Sequence, residues 1–157
     1  MVKNPSSSTL TAKQQAERQH LALHLHKLIT VQHVKPQDIM IISCQSQMRS
    51  AIFRTTAEPL SHTVTATDGT TQTFVYLLNK LKQGIIPGKS PVATIRTAKG
   101  LESDVVILVE LDGLRSGQFA HMSSEHIRAV IFVGVSRARS HIIIFGRERD
   151  IFIADTP

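Results

Sequence analysis

Residues Val105–Val109, VVILV, form an unbroken apolar run. A run this short and this rich in β-branched side chains suits a strand covered on both faces, the environment of a central strand in a parallel sheet. Asp38–Ser43, DIMIIS, has the same character. The longest apolar runs fall well short of the roughly 20 residues that a membrane-spanning helix needs. The polar N-terminus lacks the apolar core of a signal peptide. Cys44 is the single cysteine, which excludes an internal disulfide and leads us to expect a soluble protein of a reducing, cytoplasmic compartment.

The remaining punctuation sets helices between such strands. Thr11 with Gln14 three residues on has the form of a capping box. Leu21, Leu25, Leu28 and Ile29 then line one face of a helix that runs to about residue 33. His20 and His24, four apart on that helix, have metal-ligand spacing, but a solvated helix face is the favoured reading. After Pro36 and the Asp38–Ser43 strand, Gln45–Thr56 reads as helical, and His62–Ala66 alternates as a strand before an Asp68-Gly69 turn. Phe74, Leu77, Leu78 and Leu81 recur at helical spacing, so Thr71–Lys82 is expected to be a helix ended by Gly84. Pro91–Arg96 and Asp104–Glu110 read as strands, Ser123–Arg139 as a helix and His141–Phe145 as the last strand. Alternating strands and helices predict an α/β fold with an open, mainly parallel sheet and helices on both faces. A chain of 157 residues with 41% apolar content suits one domain. We expect it to span 10–150, with 1–9 a disordered lead-in and 151–157 a tail.

Lys and Arg number 18 against 12 Asp and Glu, a net charge of +6. That surplus permits an anionic partner such as nucleic acid. Two segments imitate a self-sufficient nucleotide site. Gly84-Ile-Ile-Pro-Gly88-Lys89-Ser90 has three residues between its first Gly and Gly-Lys-Ser, where a phosphate-binding loop has four. On the expected secondary structure it also leaves a helix and enters a strand, the reverse of what the loop needs. Val105–Asp112 ends in Glu110 and Asp112, which imitate a Mg²⁺-holding pair; a solvated strand end is the expected role.

Three further segments stand in a set order: DIMIISCQSQMR (Asp38–Arg49), TIRTAKGLESDVVIL (Thr94–Leu108) and VGVSRAR (Val133–Arg139). They resemble motifs IV, V and VI of the C-terminal RecA-like motor domain of UvrD/Rep-like superfamily 1 helicases. About forty residues, Ser50–Pro91, separate the first two, as in compact relatives without a large accessory insertion. The resemblance implies a three-layer RecA-like P-loop NTPase fold. It also implies a DNA or RNA helicase half whose ATP site is shared with an N-terminal motor domain, the partner that would hold most of the ATP and Mg²⁺. Arg137 and Arg49 would be the catalytic fingers facing the γ-phosphate. Glu102 would accept from the ribose, and Gly100 would let the backbone approach the nucleotide. Thr94 and Arg96 would lie toward single-stranded nucleic acid, DNA in the first instance. Arg96, Ser103 and Gln45 depart from the His, aromatic and Asn usual in the family.

Each residue also has a plainer role open to it. Arg137 and Arg139 suit a helix C-terminus, Arg49 a solvated face, Glu102 a pair with Lys99, and Gly100 a turn. No complete phosphate loop or Mg²⁺-binding pair precedes the motifs, so the isolated chain is expected to be inactive as an ATPase. Two rivals follow: an inactive, helicase-derived nucleic-acid-binding module, and a small independent enzyme using Gly88-Lys89-Ser90.

Overall fold

The structure is a computed structural model and describes residues 10–98, 100–115 and 123–145. The expected lead-in and tail, 1–9 and 151–157, lie outside the described residues.

Six strands form one sheet in the order β2-β3-β4-β1-β5-β6. They are β1 (Ile39–Ser43), β2 (Leu60–Thr65), β3 (Thr71–Lys80), β4 (Lys89–Thr94), β5 (Ser103–Val109) and β6 (Ala138–Ile144). All neighbours pair in parallel except β2, which is antiparallel to β3 at one edge. The two apolar runs are the central strands: β1 is buried throughout, and β5 from Val105 onward. Helices α1 (Ala12–Leu25) and α2 (Ala51–Arg54) cover one face, burying Leu21, Leu25, Ile52 and Phe53 against Ile39, Ile41, Val92 and Ile107. Helix α3 (Ser124–Val135) and the 3₁₀ turn Leu111–Arg115 cover the other, with Ile127, Ile131 and Leu111 against Met40, Ile42 and Leu108. The fold is α/β in three layers, as expected.

Local chemistry sets the helix ends. Thr11 Oγ1 accepts from the Gln14 N–H at 3.1 Å while Gln14 Oε1 accepts from the Thr11 N–H at 2.9 Å, a reciprocal capping box. The helix then widens into a π turn over His26–Val31, and Pro36 prevents its return. Along α1, His24 packs its ring on Phe145 with centroids 4.9 Å apart. It is therefore partly buried, while His20 is exposed. No set of three or more His, Cys, Asp or Glu side chains among the described residues is arranged to hold a metal ion.

Two expected helices are corrected. Thr71–Lys82 is strand β3 over Thr71–Lys80, followed by a 3₁₀ turn at Leu81–Gln83 that Gly84 closes. The Asp68 carboxylate accepts from the Thr70 N–H and hydroxyl at 3.0 and 2.6 Å. That tight turn folds the threonine-rich start of β3 back on β2, where the paired run extends from Leu60↔Tyr76 to Thr65↔Thr71. A period of two therefore wins: Phe74, Tyr76 and Leu78 face α1, while Val75 and Leu77 are exposed. The Tyr76 hydroxyl closes the inner side, 2.6 Å from Thr30 Oγ1 and 2.7 Å from His26 Nδ1.

Gln45–Thr56 is helical only at Ala51–Arg54. The Ser46 carbonyl accepts from both Arg49 and Ser50 N–H groups in a tight turn. Ser50 then caps a single helical turn, which ends where the Thr55 hydroxyl bonds back to the Ala51 carbonyl at 2.6 Å.

The strand register of β3 is open to a direct check. Leu78→Ala should cost about 2–5 kcal/mol, as for other buried leucines, while Leu77→Ala should cost under about 1 kcal/mol. Urea denaturation of the two variants reads the difference; equal destabilisation would indicate the helical face that includes both residues.

Candidate functional site

Loops at the C-terminal ends of parallel strands are where open α/β sheets build their sites. Here that edge is organised by Glu110, directly after β5. Its backbone is left-handed, with φ 57°, and its side chain is buried. The carboxylate accepts from the Ser43 hydroxyl at 2.7 Å, from the Ser50 hydroxyl, and from the Ala51 N–H at 3.0 Å. Glu110 is therefore no solvated strand end. It is an internal tie from β5 to β1 and to the start of α2.

A second carboxylate completes the tie. Glu17, on α1, accepts the Glu110 N–H at 2.6 Å. Burial chiefly pushes the Glu17 carboxyl up to about 7, with the Glu110 and Asp112 charges adding and the N–H bond and Lys13 opposing. Burial likewise holds the Glu110 carboxyl above its ordinary range despite its hydrogen bonds, and raises the Cys44 thiol. Asp112 meets Lys13 at 3.2 Å on the surface. Gly113 lies so near the end of β1 that a Cβ there would be 2.6 Å from the Cys44 carbonyl oxygen. With Glu110 committed inward and Asp112 beside an ammonium group, the pair does not fit a Mg²⁺ site.

The Gly84–Ser90 segment does not fit a phosphate cradle. It leaves β3 through a 3₁₀ turn, a correction to the expected helix, and Lys89 and Ser90 open β4. No helix N-terminus follows to face a phosphate.

The Thr94–Glu102 segment crosses from the end of β4 to the start of β5. Thr94 and Thr97 bond each other reciprocally: the Thr94 N–H donates to Thr97 Oγ1 at 2.9 Å, and the hydroxyls are 3.0 Å apart. Arg96 is exposed on this turn, while Ile95 and Ala98 are buried beneath it. Gly100 has φ 83° with nothing within 4 Å of a built Cβ, so backbone conformation rather than crowding calls for glycine there. Glu102 is exposed. Lys99, its alternative partner, lies outside the described residues.

Beside this segment, the Ser103 N–H donates to the Arg137 carbonyl at 2.9 Å. The Arg137 guanidinium turns back on α3, with Nε donating to the Val133 carbonyl and Nη2 to Ser136 Oγ, both at 3.1 Å. It thereby caps that helix C-terminus. Arg139 pairs with Asp104 at 2.9 Å, both about half exposed.

Glu102 and Arg137 thus flank the start of β5. Arg49, exposed next to Ser50, and Thr94 with Arg96 lie toward the other ends of the strands. The seven steps from Ser103 to Glu110 correspond to roughly 23 Å of extended chain, so Glu102 and Arg137 stand apart from Arg49, Thr94 and Arg96. Sequence reasoning missed Ser43, Ser50 and Glu17 as partners of Glu110. Only the polar residue closing an apolar run hinted at such a tie.

No family model matches the chain, and no curated protein matches it.

The Glu17 geometry yields a pH prediction. A folded-state value raised from 4.5 to about 7 means that the native state favours the protonated acid. This contribution is intact below about pH 4.5 and is lost as pH rises toward 7. Glu17→Gln keeps an acceptor for the Glu110 N–H without the charge. Its stability advantage over the parent should grow across that window to on the order of 2 kcal/mol. Urea midpoints at pH 5 and pH 8 check this; a constant difference would remove it.

Proposed function

We propose that this chain is the C-terminal RecA-like motor domain of a UvrD/Rep-like superfamily 1 helicase, acting on an ATP site shared with an N-terminal motor domain. One observation carries the reading. The Ser103-to-Arg137 hydrogen bond joins the Lys-Gly-Leu-Glu segment to the Ser-Arg-Ala-Arg segment beside paired parallel strands. The exposed Glu102 carboxylate and the Arg137 guanidinium thus share one side of the domain, as a ribose acceptor and a phosphate-binding group must.

Phosphoryl transfer depends mainly on positioning and on stabilising charge on the transferred group. Arginine suits that task because its planar fork stays charged and binds phosphate oxygens bidentately. Arg137 makes two hydrogen bonds at the end of α3, both to uncharged acceptors. A triphosphate adds full opposite charge and bidentate geometry, so a bound nucleotide can draw the side chain outward. Arg49 is the second finger in this reading. Gly100 gives the nucleotide close access to the backbone. ATP and Mg²⁺ fall mainly to the N-terminal domain, whose cation would supply further charge stabilisation. Thr94 and Arg96 face single-stranded nucleic acid, with Arg96 meeting backbone phosphate.

A second reading has its own support: Arg137 capping α3 and Arg139 paired with Asp104 are what an inactive nucleic-acid-binding module would also show. ATP turnover separates the two. The isolated chain is expected to turn over no ATP. With a phosphate-loop-bearing N-terminal motor domain joined ahead of residue 1, Arg137→Ala should lower kcat by about 10³–10⁵, and Arg137→Lys should not restore it. Turnover by the isolated chain, abolished by Arg137→Ala, would contradict a motor half. A silent joined motor that still binds single strands would favour the inactive module.

A further inference from the structure

The Thr94–Thr97 turn opens onto a pocket of about 370 Å³ that the helicase resemblance leaves without a role. Its walls include Phe53 from α2, Leu101 from the crossover, and Lys80 and Lys82 from the end of β3. Thr94 and Thr97 complete the wall toward β4, and no acidic residue among the described residues lines it. Leu101 is 40% exposed, an apolar side chain left in solvent beside two ammonium groups. Small-molecule sites combine apolar walls with a few placed polar groups in this size range, and this one is charged for an anion.

We propose that this pocket takes one nucleotide unit of single-stranded nucleic acid, the base against the exposed side chain of Leu101 and its flanking phosphate on Lys80 and Lys82. The inference rests on the proposed nucleic-acid contact of Thr94 and Arg96, and extends it to residues outside the three motifs. Several features favour this occupant. A phosphodiester supplies the negative charge that two lysines select, while the base supplies an apolar face for the exposed Leu101 side chain. Lysine stems cover apolar surface while their heads stay in water, so the two wall types belong to one site. The overall charge of +6 supports approach by a polyanion.

Fluorescence anisotropy with a labelled oligo(dT) of ~12 nucleotides, within the span that such surfaces occupy, provides the test. Lys80→Ala/Lys82→Ala should weaken binding about tenfold, and the dependence of log K on log[salt] should become shallower by roughly 1.4, about 0.7 for each phosphate that the variant no longer neutralises. The control removes equal charge elsewhere: Lys27→Ala/Lys35→Ala, from the π turn and the approach to β1, should change affinity by no more than about twofold. An abasic strand of equal length should bind the parent chain at least about fivefold more weakly, since it has no base to lay against the apolar wall. All of these exchanges are at lysines outside the core, and thermal melts verify that the fold persists. If the two double variants weaken binding equally, charge alone is responsible and the pocket is overturned while nucleic-acid binding stands. Full displacement of the oligonucleotide by thymidine monophosphate at comparable concentration would assign the pocket to a free nucleotide instead. A parent chain that binds no oligonucleotide would remove the pocket together with the nucleic-acid part of the motor reading.

Discussion

The buried carboxylate of Glu110 is the interaction on which the C-terminal edge of the sheet depends. Three donors converge on it: the hydroxyl that closes β1, the hydroxyl that caps α2, and the first N–H of α2. The Glu17 carboxylate, from the start of the chain, takes up its backbone N–H. Strands β1 and β5, helix α1 and helix α2 are thereby fixed to one another through a single residue. A helix of one turn cannot sustain itself, so α2 owes its existence to this external anchor and to burial of Ile52 and Phe53.

The arrangement carries its own opposition. Glu110 holds a left-handed backbone, and burial favours the protonated form of both the Glu17 and Glu110 carboxyls. Such perturbed acids gather at functional sites, yet here every donor that meets them comes from within the fold. Their physical role is to shape the loop from Cys44 to Ser50, which carries Arg49 outward. A buried carboxylate turned inward to three donors of its own fold is not presented to a cation, whatever the sequence Val-Glu-Leu-Asp suggests.

Where the sequence was legible, one physical period dominated. Continuous apolar runs identified β1 and β5 because burial on both faces leaves no room for a polar position. Thr11 and Gln14 identified the first helix because their bonds are local. At β3 two periods competed: Phe74, Leu77, Leu78 and Leu81 fit a helix, and Phe74, Tyr76 and Leu78 fit a strand. The turn at Asp68 and pairing with β2 decided between them, and pairing is not visible in a helical wheel. The Glu110 tie was hidden for a related reason, since its partners lie 59 to 93 residues away. The six candidate site residues could be named from motif order, but their division between the two ends of the strands depends on how the crossover runs.

That crossover is the final constraint. Only eight residues, Ile95–Glu102, join the end of β4 to the start of β5, and they do so over the strand between. Ile95 and Ala98 anchor the passage in the second core. Gly134 of α3 lies against it so closely that a Cβ there would stand 3.1 Å from Leu108 and 3.4 Å from Ile95. The segment therefore has little freedom to shift at one end alone. On the motor reading, Thr94 and Arg96 touch the single strand at one end and Glu102 touches the nucleotide near the other. A short span, packed beneath α3 and tied to Arg137, is a physical route by which a change at either ligand displaces the residues that hold the other.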